Sequence, residues 1–189
     1  MNNLLKHLLR VVPALALISC VTKPLPTPPA TVAQVNLQRY QGKWFEAARL
    51  PMYFQHDWIN STAEYTLQPD HTVKVVNRCE TKQGKPKMIR GTAVSLDPDS
   101  NARLEVTFNE WFSIFIPRSK QGNYWVLDLK PDYSLAAVGT PDRKCLWILA
   151  RKLPVPQEEF ERVKKKCAEL GYNTSTLLID PAQAASNSH

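Results

Sequence analysis

The sequence predicts an all-β domain, a meander of eight antiparallel strands followed by one C-terminal α-helix. Three observations carry this. Apolar and polar residues alternate with period two through most of the middle of the chain, as in strands with one buried face. The alternating segments are short and are separated by clusters of Pro, Asp, Asn, Gly and Ser. Only one segment, near the C-terminus, has apolar residues at helical spacing. A meander of eight short strands forms a sandwich or a barrel, and eight is the number at which a closed sheet leaves room for side chains or one small ligand.

The elements follow in order. Trp44 to Leu50 supplies the first strand. Thr62 to Leu67 alternates cleanly, and Gln68-Pro69-Asp70-His71 turns the chain before Thr72 to Val75 resumes the pattern. Ile89 to Leu96 is ended by Asp97-Pro98-Asp99-Ser100, and Arg103 to Phe108, Tyr124 to Leu129, Tyr133 to Val138 and Cys145 to Ala150 complete the set. From Gln157 to Leu170, Phe160, Val163, Cys167 and Leu170 share one helical face. Pro154 and Pro156 precede that segment, and Gly171 sits where a C-cap belongs. A helix with one apolar face has to dock, and the outer wall of the sheet is the available partner, which places Cys167 on the docked face.

The N-terminus, Met1 to Ser19, reads as a targeting signal with Lys6 and Arg10 at its start and an apolar stretch from Val11 to Ile18. That stretch is too short to span a bilayer. Leu17-Ile18-Ser19-Cys20 resembles a bacterial lipobox, which implies cleavage before Cys20 and acylation of Cys20 by three chains, palmitate among them. Two lipid signals already suffice for stable attachment. Val21, where an Asp would signal retention, resembles sorting to the outer membrane. Residues 20–34, with Pro24, Pro26, Pro28 and Pro29, read as an extended tether. Residues 35–180 form the domain and 181–189 a flexible tail. Without its first 19 residues, the chain of 189 keeps 170, enough for one domain.

The net charge is +7, and Lys6 and Arg10 supply two of those charges. The other basic residues are scattered, apart from Lys164-Lys165-Lys166, and no basic-aromatic platform accompanies them, which argues against nucleic acid as a partner. The lysine run reads as a solvated helix face, with contact to anionic lipid head groups as the alternative. Cys79, Cys145 and Cys167 remain for an oxidising compartment. The simplest arithmetic is one disulfide and one free thiol, with the pair left open. With no CxxC pair and no His cluster, neither a metal site nor a cofactor is expected.

Three ordered segments resemble the signature regions of lipocalins. Asn36-Leu37 followed by Gly42-Lys43-Trp44-Phe45-Glu46 resembles the first, Pro131-Asp132-Tyr133 the second, and Arg151 at the end of Leu146-Trp147-Ile148-Leu149-Ala150 the third. The stretch Tyr124 to Arg151 is similar to the bacterial, plant and apolipoprotein D branch, and the lipobox selects bacterial outer-membrane members. The resemblance implies an eight-stranded up-and-down β-barrel with the helix packed outside. It also implies a plug in which Arg151 lies across Trp44 at the closed end, a cation–π pair worth on the order of 1 kcal/mol. Gly42 would permit close backbone approach where the first strand begins.

Alternation nominates a ligand pocket of Tyr65, Leu67, Val73, Val75, Leu104, Val106, Phe108, Trp125 and Leu127, with Ala63 beside them. Both faces of Tyr124 to Leu129 are apolar. Trp125 and Leu127 are placed inward because Asp128 and Lys130 would then point outward with Tyr124 and Val126. Phe54, Trp58, Trp111, Phe112, Ile114 and Phe115 form a second apolar group in loops, with Trp111 assigned to the pocket. Such residues are costly to expose unless they line a mouth, contact lipid or meet another subunit, which leaves a homodimer open. The resemblance implies binding, transport or storage of a fatty acid or lysophospholipid at the periplasmic face of the bacterial outer membrane, in membrane maintenance or stress, rather than catalysis. Arg78, Arg90, Lys87 and Arg118 are candidate cations for a head group. The alternative is a lipocalin-type enzyme, for which Cys79, His56 and His71 are the available groups; a nucleophile there would need an activating base within reach.

Overall fold

The computed structural model describes residues 27–109 and 120–184. The signal segment, Cys20, the loop aromatics Trp111, Phe112 and Phe115 with Ile114, and residues 185–189 lie outside the described residues.

Eight strands make the barrel: β1 (Gly42–Arg49), β2 (Trp58–Leu67), β3 (Val73–Thr81), β4 (Pro86–Ser95), β5 (Arg103–Phe108), β6 (Tyr124–Leu129), β7 (Leu135–Gly139) and β8 (Leu146–Ala150). Each pairs antiparallel with the next, and β1 pairs with both β2 and β8, so the sheet closes on itself. Closure removes the free edges that an open meander would expose. Trp58, expected in a loop, is the first residue of β2. Asn60 adopts a φ of +52° at a register shift between Ile59 and Thr62, and this bulge carries the strand past the point where simple alternation ends. A short β9 (Leu178–Ile179), which the sequence does not announce, pairs with the end of β1.

Inner and outer layers are distinct. Inside, Trp44, Ala63, Tyr65, Val73, Val75, Leu104, Val106, Val126 and Leu149 pack together. Outside, α2 (Gln157–Glu169) lays Phe160, Val163 and Cys167 against Trp125, Leu127, Leu135 and Ile148 of the wall. The helix ends in a Schellman arrangement: Gly171 takes φ +89°, its N–H reaches the carbonyl of Ala168, and that of Tyr172 reaches Cys167. Ion pairs between Arg162 and Asp128 (3.0 Å) and between Lys130 and Glu159 (3.1 Å) fix the rotation of the helix on the wall.

One end of the barrel is closed by α1 (Leu37–Tyr40), capped by the Asn36 side chain, which accepts from the Arg39 N–H. Trp44, fully buried, donates its indole N–H to the Tyr40 carbonyl at 2.8 Å. The Arg151 guanidinium lies 3.9 Å from the centroid of the Trp44 ring. It donates to five carbonyls, those of Arg39, Tyr40, Gln41, Lys43 and Tyr133, at 2.8–3.2 Å. Gly42 has φ +94°, a backbone conformation that favours glycine, and a β-carbon there would meet only Arg151 Nη1, at 3.4 Å. Tyr133 joins the same assembly: its hydroxyl accepts from the Asn36 N–H at 2.9 Å, and Arg39 covers its ring at 4.0 Å.

Residues 27–34 and 181–184 are more ordered than their composition suggests. Within the expected tether, Pro29 is buried, the Val32 N–H donates to Val126, and the Thr27 carbonyl accepts from Arg143. Pro181–Ala184, expected in the flexible tail, form the short helix α3. Gln183 there is buried and pairs its amide with both backbone groups of Val155, at 2.6 and 3.0 Å. The expected disulfide is not seen: Cys79, Cys145 and Cys167 are all free among the described residues. Cys79 follows Val73 and Val75 on the inner face of β3, whereas Cys167 lies in the outer layer, so the barrel wall stands between them. Cys145 ends the β7–β8 turn, its N–H bonded to Thr140.

Trp44→Ala should cost roughly 3–5 kcal/mol as a large core deletion. Arg151→Lys should cost about 1–3 kcal/mol, because an ammonium cannot span the carbonyls that the guanidinium fork reaches. Chemical denaturation measures both, and curves that overlay the wild type would contradict the plug.

Candidate functional site

The barrel interior is the candidate site, and it has two levels. At the closed end a cavity of about 20 Å³ is lined by Val35, Leu37, Tyr40, Gln41, Tyr65, Val73, Ala93, Leu104, Val106 and Tyr124. That volume suits about one water molecule and not an acyl chain. Side chains fill this level. Tyr40 packs on Trp44 and Tyr65, with ring centroids 4.9 and 5.6 Å apart. The three phenols form a chain in which Tyr124 donates to Tyr65 at 3.0 Å and shares a 2.9 Å bond with Tyr40. Burial raises all three, the Tyr65 phenol to about 12 and the other two strongly upward.

Toward the open end the interior turns polar. Glu46 and Arg49, both buried, form a 2.7 Å ion pair. Arg49 also donates to the carbonyls of Gln55 and Trp58, and Trp147 donates its indole N–H to the Gln55 side chain, so the β1–β2 loop is stitched down onto the barrel. A bulge between Glu46 and Ala48 makes this possible: it turns Ala47 and Ala48 to the outer layer and returns Arg49 to the inner face. Burial pushes the Glu46 carboxyl upward, against the pull of Arg49. Arg49 Nε, Ser61 Oγ and Asn77 Oδ1 are buried here without hydrogen-bond partners. Trp58, Cys79, Ile89 and Phe108 supply the apolar part of this level.

Of the expected pocket residues, Tyr65, Val73, Leu104 and Val106 line the closed-end cavity, and Leu67, Val75 and Phe108 belong to the same inner cluster. Trp111 lies outside the described residues. Trp125 and Leu127 are corrected: both point outward under α2, and Tyr124 and Val126 point inward. Asp128 faces outward as expected, to Arg162. The register shift between Val126 and Asp128 breaks the alternation, so two residues that looked opposed in sequence share the outer side. Sequence reasoning also missed Glu46 and Arg49. Their charge reads as surface; alternation from Trp44 already turns Glu46 inward, and the bulge that follows it brings Arg49 to the same side.

The groups considered for catalysis are not brought together. Cys79 is inside near the mouth, with its thiol pushed up to about 11 by burial. His71 lies in the β2–β3 turn at the closed end, and His56 is exposed on the β1–β2 loop, bonded to the Tyr53 carbonyl. Among the described residues no cluster of His, Cys, Asp or Glu could hold a metal ion. Of the candidate head-group cations, Arg78 pairs outside the barrel with Glu64 at 2.7 Å, and Lys87 pairs with Asp57 at 3.1 Å.

The family model described as a lipocalin-like domain matches residues 35–182. The chain is a lipocalin. It is 39% identical over 153 residues to temperature-induced lipocalin-1 of Arabidopsis thaliana, covering 79% of this chain and 81% of that one. It is 31% identical over 149 residues to the outer membrane lipoprotein Blc of Vibrio cholerae, covering 78% and 82%. Among solved structures, the cockroach allergen Per a 4 superposes with a TM-score of 0.59 at 15% identity, covering 83% of this lipocalin and 96% of the allergen. That match shows the shared barrel alone.

The phenol chain gives a sharp test of the closed end. Tyr124→Phe deletes the middle hydroxyl, leaves two buried hydroxyls without partners and should cost about 1–3 kcal/mol. In the unfolded chain Tyr65 ionises near 10.0, whereas in the barrel it ionises only near 12. Its contribution is therefore complete below the lower value and is lost as pH rises between the two. Unfolding free energy measured across that range should fall, and should fall less in Tyr65→Phe.

Proposed function

We propose that this lipocalin binds a single-chain lipid, a fatty acid or a lysophospholipid, and carries or stores it at the periplasmic face of the bacterial outer membrane, held there by acylated Cys20. The observation that carries the reading is the polar level of the interior. Arg49 Nε, Ser61 Oγ and Asn77 Oδ1 are buried without partners beside Ile89, Trp58 and Phe108. An unsatisfied buried polar atom costs about 1–3 kcal/mol, and a ligand with one polar group on an apolar chain would satisfy such atoms while burying its own hydrocarbon. The filled closed end sets the depth, since Tyr40, Trp44, Tyr65 and Tyr124 pack together there and leave no room for an acyl chain. The relationship to lipocalins named outer membrane lipoproteins supports the location.

Fluorescence titration with fatty acids and lysophospholipids of long chain length tests the ligand. Val106→Phe and Val75→Phe, both inward, should weaken binding by at least about tenfold, which corresponds to about 1.4 kcal/mol. Lys74→Phe on the outer face of the same strand should leave it unchanged. Equal affinities for inward and outward variants, or no saturable binding by the unaltered protein, would refute the proposal.

A further inference from the structure

The two ends of the barrel differ in charge. The closed end is mixed: its turns at 68–72, 96–102 and 130–134 carry Asp70, Asp97, Asp99 and Asp132 against Lys130, and Arg39, Lys43, Arg151 and Lys152 balance them. The open end is basic. The β3–β4 turn presents Lys82 and Lys85, the β7–β8 turn presents Lys144, its side chain 82% exposed and 3.7 Å from Asp142, and the last turns of α2 present Lys165 and Lys166. With Arg143 these cations outnumber Glu80, Asp142 and Glu169 on the same segments. These segments are physically joined. The Lys82 N–H donates to Asp57 of the β1–β2 loop, the Leu50 N–H donates to Leu146, and Arg143 binds the Leu170 carbonyl at the end of α2. On the same end Tyr53 is 87% exposed, an aromatic of the kind that sits at membrane interfaces.

A second observation fixes where the chain arrives. Arg143 donates to the Thr27 carbonyl at 2.7 Å, so the N-terminal segment is strapped to the open end before it runs to Val35 at the closed end. Cys20 precedes Thr27 by seven residues, which limits their separation to about 25 Å. We propose that the open end is a membrane-docking face for the head groups of anionic phospholipids, so that the mouth rests on the bilayer that supplies its ligand. This rests on the lipid-binding, anchored reading above. The lysines add a charge-dependent attraction that the acyl anchor alone lacks, about fivefold in partitioning for each cation near an anionic surface.

Lysine footprinting by an amine-reactive reagent and mass spectrometry tests this on full chain purified from membranes. The protein is added to vesicles of phosphatidylcholine with or without phosphatidylglycerol. On the anionic vesicles Lys82, Lys85, Lys144, Lys165 and Lys166 should be labelled at least about fivefold less than on the zwitterionic ones, with the difference abolished near 1 M salt, where screening is strong. Lys43 and Lys152 at the closed end should label alike on both. The exposed triple variant Lys144→Gln, Lys165→Gln, Lys166→Gln should lose the protection at Lys82 and Lys85. Protection at the closed end, or equal labelling of both ends on both vesicles, overturns the docking face. Retention on pure phosphatidylcholine reports the anchor separately: a chain that washes off those vesicles yet shows the open-end footprint on anionic ones loses the anchored reading and keeps the docking face.

Discussion

The Arg151 guanidinium is the piece on which the barrel depends. Its charge lies over the Trp44 ring, and its three nitrogens reach five carbonyls, those of Arg39, Tyr40 and Gln41 at the end of α1, of Lys43 in β1 and of Tyr133 in the turn before β7. A short helix such as α1 cannot hold itself together in water, because nucleation costs more than a few bonds return. Here its last carbonyls, which have no partner within the helix, are taken up by one side chain from the far end of the sheet. The start of β1 and the end of β8 are thereby locked at a common height, which sets the register of closure. The three sequence motifs that resembled a known family are the three parts of this one contact.

How much of this was legible in the sequence follows from what covers each strand. β2, β3 and β5 have solvent on one side and the core on the other, so their polarity alternates and their inward rows could be read directly. β6 is covered on both sides, by the core and by α2, and both of its faces became apolar. With no contrast left, the placement of Trp125 and Leu127 leaned on Asp128, and the bulge at that point reversed the answer. A bulge leaves little trace in composition, and the one in β1 hid Arg49 in the same way. β9 and α3 are too short to have a period at all. The cysteine arithmetic left the pair open for another reason: it counts thiols, whereas pairing depends on which side of a wall each stands, and Cys79 and Cys167 stand on opposite sides.

The interior is therefore graded rather than uniformly greasy. A buried ion pair does not by itself add stability, because removing two charges from water costs about what their attraction returns. Glu46 and Arg49 are better understood through what they hold: Arg49 reaches two carbonyls in and after the β1–β2 loop, and Gln55 links that loop to Trp147. The mouth is shaped by a polar scaffold and the floor by packed aromatic rings, so the head group and the chain of the proposed ligand would meet different residues.

The phenol chain at the floor has a consequence of simple counting. Tyr40, Tyr124 and Tyr65 own three hydroxyl hydrogens and are joined by two bonds. However the hydrogens are arranged, one is always left over, and because the rings stay protonated far above neutral pH, it cannot be shed. With Tyr124 donating to Tyr65, and Tyr40 donating in turn to Tyr124, the spare hydrogen belongs to Tyr65, which borders the small cavity. A floor that looks wholly hydrocarbon by its neighbours thus carries one permanent, directional donor, and whatever reaches the bottom of the barrel meets a single point of polarity there.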